Sequence, residues 1–185
     1  MIIETILTTT DAQHGINCAP MGVEWGEEVI VIKPYQDTAT FRNLMAVKTG
    51  VVNLTDNVLL FAQSAIGNPI FPTRPATVIS GVVLQDVCSW REVQVEEIDD
   101  SQPRARVTTR VVYRGFEREF IGFNRARHAV LEAAILATRT RFLPREQILA
   151  EFERLQVIVN KTAGAREHEA MNLLTQYIQT VQEIP

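Results

Sequence analysis

Cysteine, histidine and long apolar runs are all scarce in this chain. Its two cysteines, Cys18 and Cys88, are far apart and neither belongs to a CxxC pair. That spacing excludes a zinc ribbon and favours reduced thiols over a disulfide. The three histidines are scattered. His128 and Glu132 stand one helical turn apart, a spacing that serves a helix-surface contact far more often than a metal site, so no metal is expected. No stretch approaches the roughly 20 apolar residues needed to span a bilayer, and no basic start leads into an apolar run. The sequence therefore reads as soluble and cytoplasmic. GxSxG, HExxH, GxGxxG and the P-loop are absent as well, which removes the best support for hydrolase, zincin, Rossmann and kinase chemistry.

What is present describes a globular domain. An apolar fraction of 46% over 185 residues is enough for a real core without metals or disulfides. The net charge of −4 conceals an asymmetry: residues 1–100 carry 5 basic and 13 acidic side chains, residues 101–185 carry 13 and 9. The basic excess is mostly arginine, densest from Arg104 to Arg127. An arginine surface that pairs with the acidic half, or holds an anionic ligand, suits this balance better than a nucleic-acid patch.

Glu4 to Thr10 is rich in β-branched residues and predicts a strand, with a turn at Gly15 and a second strand ending Ala19-Pro20-Met21-Gly22. Pro20 lacks a ladder donor and Gly22 admits close approach, which fits either an ordinary bulged edge or a strand margin facing a ligand. Glu28 to Lys33 reads as a buried strand. Asp37 or Thr38 then caps a helix carrying Phe41, Leu44 and Met45. Thr38, Thr40 and Arg42 at that helix start serve as caps or as a phosphate cradle. Gly50 to Leu54 predicts another strand, followed by a helix capped at Thr55 or Asp56 and ending near Gly67.

Residues 68–75 hold three prolines and predict an irregular loop. Strands follow at Thr77 to Leu84, Cys88 to Glu97 and Arg104 to Arg114, so about six strands and two short helices precede residue 123. That arrangement favours a barrel over a parallel sheet. From Asn124 the period becomes helical, with Ala126, Val130, Leu131, Ala134, Ile135 and Thr138 on one face. Helices from Pro144 and from about Ala165 to Gln182 complete the chain. A core over 1–123 and a helical extension of the same domain over 124–185 are the expected divisions.

Thr8 to Thr10, Thr38, Thr40, Asn43, Asn53 and Thr55 lie at strand ends and helix starts that a small barrel can bring to one side. Such groups do little acid–base work but suit a cofactor that carries its own chemistry. No catalytic side chain stands out.

The blocks ETILTTTDAQHGINCAPMGV, KPYQDTATFRNL, VVNLTDNVLLFA and FNRARHAVLEAAILATR, in that order, resemble an uncharacterised family of FMN-binding split barrels. That family is related to flavin reductases and is associated with tetrahydromethanopterin-linked one-carbon metabolism. The resemblance implies an α+β fold: a mainly antiparallel, Greek-key split β-barrel with C-terminal helices packed on it. It implies a homodimer with FMN near the interface, the ring against Ala19, Pro20, Met21 and Gly22, and Asn53 and Thr55 near its polar edge. The phosphate would sit at Thr38, Thr40, Arg42 and Asn43. Arg42 or Arg74 would then stand near the N1/O2 edge. The implied activity is hydride or electron transfer through FMN. The alternatives are a flavin carrier or redox-sensing module without turnover, and a structural dimer without flavin; no nucleic acid and no membrane partner is expected.

Overall fold

The computed structural model describes residues 1–181. The threonine- and isoleucine-rich start forms β1 (Ile2–Thr10), and β2 (Ile16–Glu24) returns antiparallel with Ile6 opposite Pro20 and Glu4 opposite Gly22. The left-handed residue of the turn is His14 (φ 65°), not Gly15. Asp11 organises this turn: its Oδ1 accepts from the backbone N–H groups of Gln13 and Gly15 at 2.9 and 2.8 Å. A Cβ on residue 15 would meet Asp11 Oδ2 at 2.5 Å, so glycine is needed for space.

After β3 (Val29–Ile32), Thr38 caps α1 (Ala39–Val47), and Lys48 closes it in a left-handed conformation (φ 62°). β4 (Thr49–Leu54), β5 (Thr73–Pro75), β6 (Val82–Leu84), β7 (Ser89–Asp99) and β8 (Arg106–Phe116) follow. Six of these strands close an antiparallel barrel in the order β1-β2-β3-β8-β7-β4. Inside it lie Leu7, Val23, Ile30, Ile32, Val52, Val93, Val107 and Val111, joined by Leu44 from α1. Alternation along each strand selects these residues, because successive side chains point to opposite faces. The α+β class and the mainly antiparallel barrel implied by the resemblance are therefore the ones observed.

Two expectations fail between residues 68 and 84. The proline-rich segment contains β5, which pairs with β6, and the strand expected over Thr77 to Leu84 shrinks to Val82–Leu84. The reason is Glu92. Its carboxylate captures the backbone N–H groups of Thr77, Val78 and Ile79 that a strand would have offered to a neighbour.

Contacts divide the chain into two compact units, Met1–Thr55 with Ile70–Phe120 and Asp56–Pro69 with Ile121–Pro185. The second holds α2 (Val58–Ile66), α3 (Arg125–Ala137), α4 (Arg145–Thr162) and α5 (Ala165–Thr180). Thus α2 groups with the helices that follow residue 120, although in sequence it interrupts the strands. Its N-cap is Asn57, whose side chain accepts from Leu59 N, rather than Thr55 or Asp56. On α3 the buried face is Ala126, Ala129, Val130, Ala133, Ala134 and Ala137, and Thr138 is exposed. The apolar stripe read from sequence is rotated towards the alanines because small side chains let neighbouring helices approach. Asn124 caps α3 as expected, and Arg127 bridges Asp56 (3.0 Å) and Glu167 (3.2 Å) inside this unit.

The arginine excess pairs with the acidic half. Arg106 meets Glu24 at 3.0 Å, Arg110 meets Glu96 at 2.9 Å and Arg118 meets Asp86 at 2.9 Å.

Candidate functional site

The hydroxyl and amide set does not gather in one place. Thr8 and Thr9 are adjacent on β1 and so face opposite sides of the barrel wall. On the outer side, Thr8 Oγ1 donates to the Val82 carbonyl at 2.6 Å, and Asn53 Nδ2 reaches Thr8 Oγ1 and the carbonyls of Ile6 and Val51 at 3.0–3.1 Å. Asn53 Oδ1 accepts from Leu84 N at 3.0 Å, which ties β6 to the wall. Asn53 is 0% exposed, and both ends of its amide are engaged within the protein. Thr55 donates to the Asp86 carbonyl at 2.9 Å.

The second group surrounds the start of α1. Thr9 Oγ1 accepts from Asn43 Nδ2 (3.1 Å) and Asn17 Nδ2 (3.3 Å), and Asn17 also reaches Thr40 Oγ1 at 3.0 Å. Thr9, Thr40 and Asn43 are all buried. This network fixes α1 against the hairpin. Asn17 is a member that sequence reasoning missed; it lies on β2 and only strand register brings it to Thr9.

Thr38 and Arg42 are the more accessible members of the expected phosphate cradle. Thr38 Oγ1 donates to the Tyr35 carbonyl at 2.6 Å and accepts from Phe41 N, while exposed Arg42 donates to the Asp37 carbonyl at 2.8 Å. Ala19, Pro20, Met21 and Gly22 are all half-buried on β2, with Met21 packed against the barrel core. The space left by Gly22 is used by β1: a Cβ there would come within 2.9 Å of Glu4 Oε1. Arg74 is engaged, 2.7 Å from Glu117 and stacked 4.7 Å from the Trp90 ring centroid.

Sequence reading also missed Glu92. This carboxylate is 0% exposed and accepts from Thr77 N (2.6 Å), Val78 N (2.7 Å), Ile79 N (3.2 Å) and Trp90 Nε1 (3.2 Å). Burial pushes its pKa up, but these donors outweigh burial and hold it below the ordinary carboxylate range. Nothing in the alternation of β7 distinguishes it from a solvated glutamate. Burial also pushes the Cys18 thiol up to about 11, so that cysteine is no nucleophile.

Solved structures share this fold. An FMN-bound protein of family model DUF447 from Methanosarcina mazei matches 95% of this chain and 94% of its own, with a TM-score of 0.83 at 22% identity. Flavoredoxin of Desulfovibrio vulgaris (Miyazaki F) matches 63% of this chain and 70% of its own (TM-score 0.54, 8% identity). The 2-nitrobenzoate 2-nitroreductase of Pseudomonas fluorescens matches 62% of this chain and 64% of its own (TM-score 0.53, 19% identity). At these identities the likeness is one of fold. Two family models complete the comparison: the N-terminal domain of a protein of unknown function (DUF447) over residues 3–118, and a second DUF447 model over residues 124–176. The chain belongs to the DUF447 family.

Proposed function

We propose that this protein binds FMN and passes hydride or electrons through it. The observation that carries the reading is the likeness, along nearly the whole chain, to a DUF447 protein whose structure holds FMN. Bound FMN supplies the redox chemistry; the chain's own residues position it and tune it.

The residues fit a flavin with a division of labour. Ala19 to Gly22 offer a half-buried strand margin for the ring. Thr38 and Arg42 are the reachable groups for a phosphate, beside the first turn of α1 and its positive dipole end. Thr40 and Asn43, locked to Thr9 and Asn17, hold that helix start in place, and Asn53 and Thr55 hold the wall on which β6 rests. A homodimer completes the reading. Exposed apolar side chains of the barrel unit, among them Phe116, Phe120, Val78 and Ile70, support it. No helix among the described residues is long and apolar enough to cross a membrane. Together with two buried cysteines that form no disulfide, this supports a reducing, cytoplasmic setting.

Purified protein tests the reading. A yellow preparation, or saturable uptake of added FMN, is expected; a colourless protein that refuses FMN overturns it. Replacing Thr38 and Arg42 together by alanine lowers FMN affinity more than tenfold, since charge-assisted bonds to a phosphate are worth roughly 1.5–3 kcal/mol each. Bleaching by NADH or NADPH without oxygen identifies a reductase, whereas a loaded protein that neither nucleotide bleaches is a carrier or sensor. Sedimentation checks the dimer.

A further inference from the structure

Arg91 is a cation in an unfavourable place. It stands on the same face of β7 as Val93, a barrel-core residue, so its side chain is directed inward. Directly opposite on β8 is Arg114, a like charge in a cross-strand pair, which is a destabilising arrangement. Arg114 is compensated: it meets Glu28 Oε1 at 2.5 Å, Glu27 Oε2 at 3.3 Å and the Glu27 carbonyl at 2.8 Å. Arg91 is not. Its Nη1 donates to the Trp90 carbonyl at 3.0 Å and its guanidinium lies 5.2 Å from the Trp25 ring centroid. Its Nε is buried without a hydrogen-bond partner, and no carboxylate among the described residues lies within ion-pair distance of it.

A position that served packing alone would favour an apolar side chain here, since an unpaired charge and an unmade hydrogen bond both cost stability. A guanidinium beside an aromatic ring, with no carboxylate in contact, can receive a carboxylate or phosphate in two-point contact. The residue is half-buried, with its Nε enclosed, so an anion would meet the Nη atoms. We infer that Arg91 is an oxyanion-binding position on the inner face of the β7–β8 ribbon. This does not depend on flavin binding. The chemistry fits either the phosphate of a flavin nucleotide or the acidic group of a separate small molecule.

The test is calorimetric titration of full-length protein with sodium phosphate and with sodium acetate at constant ionic strength, with tryptophan emission recorded alongside because Trp25 lies under the guanidinium. Saturable binding with an emission change is expected. Arg91→Met weakens it at least tenfold; Arg91→Lys, which keeps the charge but loses the planar fork, weakens it similarly. Circular dichroism confirms the fold of both, and Arg91→Lys carries the test alone if the methionine variant does not fold. Phosphate binding abolished by saturating FMN but not by riboflavin assigns the position to the flavin phosphate, in place of Thr38 and Arg42. Binding that persists under both assigns it to a separate anion. Absence of saturable binding in the parent protein, or equal binding in the folded Arg91 variants, overturns the inference. A protein that takes phosphate at Arg91 but refuses FMN leaves this inference standing and removes the flavin reading.

Discussion

Replacing Glu92 by glutamine tests how the loop over residues 77–79 is held. One carboxylate oxygen accepts from Thr77 N and Trp90 Nε1, the other from Val78 N and Ile79 N. A glutamine amide presents only one oxygen, so whichever way it turns, two N–H groups lose an acceptor and face an NH2 group instead. Hydrogen bonds to a charged group contribute about 1.5–3 kcal/mol each, so the gross loss is about 3–6 kcal/mol. Two effects offset part of this: Thr77 and Val78 are exposed and can rehydrate, and the variant no longer buries a charge. A net destabilisation of about 2–3 kcal/mol remains, or about 4–12 °C in Tm for a chain of this length. Thermal and urea unfolding measure it, and hydrogen exchange at residues 77–79 localises it. A Glu92→Gln protein within about 0.5 kcal/mol of the parent, with unchanged exchange there, refutes the reasoning. The same contacts set a pH dependence. Because the folded pKa lies below the unfolded one, this stabilisation is complete above the ordinary carboxylate range and declines as pH falls through the folded value. Glutamine at this position should flatten that acid limb.

Other substitutions probe separate links. Arg127→Met removes the cation that bridges buried Asp56 and Glu167, and is expected to destabilise by about 3 kcal/mol in urea unfolding. Gly115→Ala places a Cβ 2.1 Å from Trp90 Cε2, so the indole must leave its seat and its bond to Glu92; a loss of about 1–3 kcal/mol and a shifted tryptophan emission are expected. With its thiol pushed up to about 11 and 4% exposed, Cys18 should resist iodoacetamide at pH 8 in native protein and react once unfolded.

Much of the architecture was legible because it rests on local rules. Strands β1, β2, β4, β7 and β8 and helices α1 and α3 follow from β-branched runs, a shift in hydrophobic period, and caps at Thr38 and Asn124. The short β5 was not legible and β6 was legible only as the end of a longer strand, since both depend on pairing with each other and on the hold of Asn53 and Thr8 on β6. For the candidate site, the sequence nominated hydroxyl and amide residues but could not separate those free to meet a ligand from those consumed by the fold. Thr40 and Asn43 turn inward to Thr9, while Arg42 stays exposed.

By itself, the sequence determined a barrel followed by helices, because periodicity and capping act over a few residues. The tertiary structure alone decided the destination of each polar side chain. Glu92 became the anchor of a loop, Arg127 the bridge of a buried triad, and Arg91 an inward cation with no carboxylate in ion-pair contact among the described residues. Each outcome depends on partners that strand register or helix packing brings from distant parts of the chain, and no local pattern encodes that register.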